Sequence, residues 1–185
     1  MNISWVLADS VILDPTQDID SLKNIGALWG SWRTWRAHQT DNVICHSQSK
    51  AAELTKREFQ KHCNFYIPNS VYSSIGRPSG VRLYEGDFVH DVILQEEIVA
   101  MHLAASTSDI VLLLGFDLTK FSPNPDRLLA NQAQHHRNLI RQAINDYAHV
   151  QWVVVDHPAP LDPNLANLDN VVTDTLQAVL ALTPD

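Results

Sequence analysis

The chain has 185 residues, 45% of them hydrophobic and 18% charged, enough for one domain with a substantial core. Its formal net charge of −8 argues against a protein whose main partner is a phosphate backbone, which needs clustered Lys and Arg, so nucleic acid is not the expected partner. No segment reaches the apolar length of a membrane span and residues 1–9 lack a basic leader; a soluble, cytoplasmic protein with reduced Cys45 and Cys63 is expected.

In chain order, residues 3–8 read as a first strand, and Asp18 or Asp20 is placed to cap a helix running to about residue 37. Residues 42–46 form a short second strand. Ser47 or Ser49 then caps a helix over 50–62, with Ala52, Leu54 and Phe59 as its apolar contacts. Residues 64–68 give a third strand. The irregular segment 69–86, with Gly76, Pro78, Gly80 and Gly86, is long for a passive connection and reads as a flap or substrate loop. Asp87 caps a helix to near residue 105, with Leu94, Ile98, Met101 and Ala105 on one stripe.

Residues 110–114 are the most diagnostic stretch. Ile110, Val111, Leu112, Leu113 and Leu114 run without polar alternation, as in a parallel strand covered on both faces, and the run ends in Gly115-Phe116-Asp117. Asp126 starts a helix to Tyr147, with a stripe through Leu129, Ala133, His136, Ile140 and Ile144. Residues 151–155 form a fifth strand, Val171-Val172 a brief extended piece, and Thr173 or Asp174 opens a terminal helix over 175–182. This alternation predicts one α/β domain, a Rossmann-like three-layer sandwich with a mainly parallel sheet of about five strands in the order 3-2-1-4-5.

In such sheets ligands bind beyond the carboxyl ends of the strands. The expected rim collects Asp9 and Ser10, His46 and Ser47, Asn69 and Ser70, Asp117, and Asp156 with His157. Small polar residues also cap helices and make turns, which is the simpler account of any one of them taken alone. Asp117 and the Asp156-His157 pair stand apart, because each directly ends a buried strand and no helix begins at once. Asp117 and His157 are the expected catalytic residues. Asp9, Ser10, His46, Asn69 and Asp156 are the expected substrate-binding set. Pro158 and Pro160 stiffen the loop around His157, which suits an acid or base. Neighbours in an extended segment point apart, so Asp9 or Asp117, not Asp156, is its expected partner.

No glycine follows the first strand at Ala8-Asp9-Ser10, and no Walker-type lysine loop occurs, so no cofactor is expected. His90-Asp91, Asp18-Ile19-Asp20 and the neighbouring His135-His136 lack the context for a shared metal, and none is expected. Glu96-Glu97 read as solvent-facing. Within the first helix, Leu22, Ile25, Leu28, Trp29, Trp32 and Trp35 share an arc of about 140°, with Gly26, Gly30, Thr34 and Ala37 on another face. Core packing is the favoured account of the tryptophans. The sharper one places Trp32 and Arg36 in a homodimer interface or a stacking platform.

Residues 95–118 resemble one part of sialyltransferase-like and motility-accessory glycosyltransferase-like proteins. A helix rich in small residues, here Ala104-Ala105, leads into a buried strand ending Gly-x-Asp, here Gly115-Phe116-Asp117-Leu118. The early Gly-x-Gly-x-Ser loop of that family is replaced by Ala8-Asp9-Ser10. The whole chain also resembles proteins of phage or marine bacterial origin. The first resemblance implies an enzyme acting on a small molecule, a nucleotide or nucleotide-sugar. Asp117 and Asp9 would bind or polarise hydroxyls, His157 would act as acid or base, and residues 69–86 would close over the ligand. The alternatives are a non-catalytic interaction or self-association module and a nucleoside-processing hydrolase on the same fold.

Overall fold

The computed structural model describes residues 1–9, 11, 19–84, 96–118, 127–157 and 160–181, with the backbone alone for 127–130. Strand β1 (Ile3–Leu7) is followed by α1 (Ile19–Ile25), β2 (Ala27–Ser31), α2 (Trp32–His38) and β3 (Asn42–Ile44). Next come α3 (Gln48–Lys56), a 3-10 turn at Phe59–Lys61, β4 (Asn64–Pro68), α4 (Asn69–Ser74) and β5 (Arg82–Tyr84). Then follow α5 (Glu96–Ala105), β6 (Ile110–Leu114), α6 (Arg127–Asp146) and β7 (Gln151–Val155). The described elements close with α7 (Pro163–Ala166), β8 (Val171–Asp174) and α8 (Leu176–Leu180). The strands form one sheet of eight in the order β5-β4-β3-β2-β1-β6-β7-β8. Every pairing in it is parallel.

The Rossmann-like class and the central place of the first strand follow the sequence expectation; the strand count does not. The anticipated order survives with β2 inserted between the first and second expected strands, β5 added at one edge and β8 at the other. The single tryptophan helix is replaced by α1, β2 and α2. Leu28 and Trp29 are buried on opposite faces of β2, so the apolar run that fits a helical arc equally fits a strand covered on both sides. Ser31 ends that strand and caps α2, its hydroxyl accepting from Arg33 N and Thr34 N at 3.0 and 3.2 Å. The supposed flap carries α4 and β5, leaving residues 85 and 86 outside the described part. Ile98, Met101 and Ala105 of the anticipated stripe on α5 are buried, and the burial extends beyond it: Glu97 to His102 are all buried, so this helix is covered on every side. Asp87 and Asp126, the expected caps of α5 and α6, and Leu94 lie outside the described residues.

Alternation along the strands sorts the core into layers. Val6, Trp29, Ile44, Leu113 and Val154 join α5 and α6 on one face. Trp5, Leu7, Leu28, Leu112 and Val153 meet α1 and α8 on the other. Val43, Cys45, Phe65 and Ile67 continue that second face against α3 and α4. No described helix is long and apolar enough to cross a membrane.

Gly26 permits β2 to lie directly beside β1, since a Cβ there would be driven onto the Ile3 carbonyl oxygen. Gly26→Ala is therefore expected to lower stability by about 2–3 kcal/mol in urea unfolding, the overpacking range. Gly76→Ala faces open space and only the penalty of φ +86, and should cost about 1 kcal/mol. Equal losses in the two variants would refute the close β1–β2 approach.

Candidate functional site

The carboxyl edge of β1, β2 and β3 is where polar groups converge. The chain leaves β1 at Asp9, β2 at Ser31 and β3 at Cys45-His46, and α5 begins beneath them with two glutamates. Glu97 Oε2 accepts the Asp9 amide at 3.1 Å, and Glu96 Oε1 accepts the His46 amide at 2.9 Å. Neighbouring carboxylates on one helix thus hold the ends of two strands that flank β2. Asp9 in turn accepts hydrogen bonds from Ser31 Oγ, from Thr34 Oγ1 at 3.0 Å and from Arg33 Nη1 at 3.2 Å. From α6, His136 Nε2 comes within 2.9 Å of Glu97 Oε1, an ion-pair distance without hydrogen-bond alignment.

The electrostatics separate these acids. Burial pushes the Glu96 carboxyl up to about 7, and the Asp9 charge adds to it; the His46 amide and Arg33 pull the other way. Its Oε2 is buried, and the Cys45 thiol is the side-chain donor that also pulls the value down. Burial likewise pushes the Cys45 thiol up to about 12, with the Glu96 charge second, so that thiol is an inert neighbour and not a nucleophile. His46 is held below its ordinary value by burial, and its ring lies 5.8 Å from that of Tyr84. Among the described residues no group of three or more His, Cys, Asp or Glu is arranged to hold a metal ion.

Of the anticipated residues, Asp9 and His46 are brought into this cluster. Ser10 lies outside the described residues. Asn69 is the exposed first residue of α4, and Ser47 caps α3 through the Lys50 amide at 3.4 Å. Asp117 is exposed at the end of β6, where Arg137 Nη2 lies 3.9 Å away. His157 Nε2 accepts the Leu118 amide at 3.1 Å, which ties the end of β7 to the segment after β6 and puts the ring proton of a neutral imidazole on Nδ1. Asp156, at φ 51, spends Oδ1 on the Leu176 amide at 2.9 Å, at the start of α8. Trp32 is half-buried, with Lys50 Nζ 4.6 Å and Arg33 Cζ 5.4 Å from its ring centroid; Arg36 is exposed.

Glu96 and Glu97 are the residues that sequence reasoning missed. The reading of this pair as solvent-facing is overturned, since Glu97 is 7% exposed and Glu96 is largely covered. A signal existed: the pair opens a helix whose next eight residues, Ile98 to Ala105, are apolar except for His102. Charges heading a helix with no polar face have little solvent to turn to. Ser31, Thr34 and Tyr84 gave no comparable signal.

The chain matches no protein-family model, no curated protein and no solved structure in comparisons with each.

The Asp156 geometry makes a prediction of its own. Asp156→Ala should cost about 1–2 kcal/mol, because the Leu176 amide loses its acceptor and a left-handed backbone now carries a plain Cβ. Asp156→Asn keeps an acceptor and tolerates that backbone, so it should stay within about 0.5 kcal/mol of the wild type. Thermal or urea unfolding distinguishes the two, and an equal loss would contradict the capping role.

Proposed function

We propose that the protein is an enzyme acting at a glycosidic bond of a nucleotide or nucleotide-sugar, with Glu96 as its acid–base group at the carboxyl edge of β1–β3. One observation carries the reading: a buried carboxyl, fixed by the His46 amide and pushed by burial up to about 7, sits within the electrostatic reach of a second acid, Asp9. Breaking a sugar's bond to a base or phosphate needs a proton delivered to the leaving group and negative charge near the sugar. Glu96 suits the first task. Asp9, oriented by Ser31, Thr34 and Arg33, suits the second. The likeness of residues 95–118 to glycosyltransferase-like proteins is consistent with this, and water in place of an acceptor sugar would make the same site a hydrolase. His157, with Nε2 already accepting the Leu118 amide, is placed to position the rim. A second reading, in which Trp32 and Arg36 meet a partner without catalysis, rests on the groove they line.

Thermal-shift screening against nucleosides, nucleotides and nucleotide-sugars should reveal a ligand worth about 2.7 kcal/mol at a hundredfold excess over Kd. With that ligand, Glu96→Gln should abolish turnover while retaining binding. Absence of stabilisation by every member of the panel would defeat the proposal.

A pH test needs no ligand. The folded pKa of Glu96, about 7, lies above the ordinary 4.5, so the unfolded chain releases this proton first as pH rises. The resulting stability is intact below about pH 4.5 and is lost as pH climbs through 7. Between pH 5 and pH 8 the wild type should lose roughly 2–3 kcal/mol more than Glu96→Gln. Parallel urea curves for the two proteins at both pH values would show the carboxyl to be ordinary.

A further inference from the structure

A groove of about 470 Å³ opens on the face that carries α2 and α3, away from α5 and its glutamates. The partly buried Trp35 and Leu54 supply its apolar surface, and Phe59, buried behind them, meets Trp35 edge to face at 4.5 Å, which fixes that surface. Its charged lining is unbalanced. Glu53 is the single acid among the described residues lining it. Its carboxylate takes Lys50 Nζ at 2.8 Å and Arg57 Nη2 at 3.2 Å, and Arg36 also acts on it. Three fixed cations against one carboxylate leave two positive charges unmatched, within a chain of net charge −8. Lys50 is further drawn over the Trp32 ring at 4.6 Å. Arg36 and Arg57 remain as the outward, exposed cations.

The volume lies in the small-molecule range, and the side chains offer an apolar bed beside a cationic rim. Glu53 already shows what that rim accepts. We propose that this groove binds a small organic anion, whose apolar body lies on Trp35 and Leu54 while its carboxylate or phosphate displaces Glu53 as the partner of Arg36 and Arg57. The inference stands apart from the enzymatic reading, since it uses no residue of the Glu96 cluster.

The probe is 1-anilinonaphthalene-8-sulfonate, a flat aromatic anion whose emission rises in an apolar site, with neutral N-phenyl-1-naphthylamine as control. The anion should bind the full chain saturably at one equivalent and at least about tenfold more tightly than the neutral analogue. Arg36→Ala with Arg57→Ala should weaken it about tenfold or more, while Glu53→Gln, by removing the competing carboxylate, should tighten it several-fold. Melting temperatures should barely move, because exposed ion pairs contribute little. Competition by phenyl phosphate and by benzoate identifies the preferred acidic group. Absence of saturable emission, equal affinity for the neutral analogue, or weaker binding by Glu53→Gln overturns the proposal. So does light scattering that shows a dimer dissociated by the arginine substitutions, which would make a second copy the occupant.

Discussion

Helix α5 has to carry the chain from β5, at one edge of the sheet, to β6 on the far side of β1. In a parallel sheet that passage can only start at the carboxyl edge and end at the amino edge. Helix α5 therefore crosses the face of β3, β2 and β1, and α6 packs on its outside. A helix so enclosed has no solvent side, which is why Ile98 to Met101 are all apolar and buried. It also fixes where its first turn lies, directly under the strand ends that a ligand would meet. The site geometry follows from this crossover more than from any local motif.

Two carboxylates in that first turn carry an electrostatic cost, since each leaves water for a largely apolar interior. The two acids resolve it differently. Glu97 has a backbone amide on one oxygen and the His136 ring close to the other. Glu96 receives one amide, from His46, and shares its surroundings with Asp9 and the Cys45 thiol. Burial above all, with the like charge of Asp9 adding to it, pushes its carboxyl up to about 7. Neutralisation of this kind is the usual outcome when a carboxyl is buried without a full set of partners.

The sheet was legible in the sequence wherever a short, wholly apolar run is bounded by polar residues, as residues 110–114 and 152–155 are. Strand β2 was not, because Leu28 to Ser31 fit two periods at once and only the contact with β1 and β3 decides between them. Strand β5 escaped because three residues, two of them exposed, carry almost no pattern. The site was legible as an edge and illegible as a set of partners. Asp9 and His46 could be placed from the strand ends alone. That Asp156 would be spent on α8 depends on β7 pairing with β8, and that His157 would take the Leu118 amide depends on β7 lying beside β6. Acids at the start of a helix are locally favourable by the helix dipole, so Glu96 and Glu97 had an ordinary explanation until burial was known.

In open α/β sheets the usual binding crevice lies where the strand order reverses, which here is between β1 and β6. There the segments that leave β1 and β6 pack against each other. The Ala8 amide donates to Leu114 O at 3.0 Å, extending the ladder beyond the strands, and Val11 N returns to Ala8 O at 3.0 Å. Val11 then lies so near Gly115 that a Cβ there would come within 2.6 Å of its own Cβ. The polar groups described above lie to the other side of β1, at the ends of β2 and β3. The inserted strand β2 sets the spacing. Asp9 and His46 leave strands two positions apart, about 10 Å across the sheet. Consecutive helix residues diverge by about 100°, so adjacent glutamates on α5 can reach in both directions and meet the two strand ends at once.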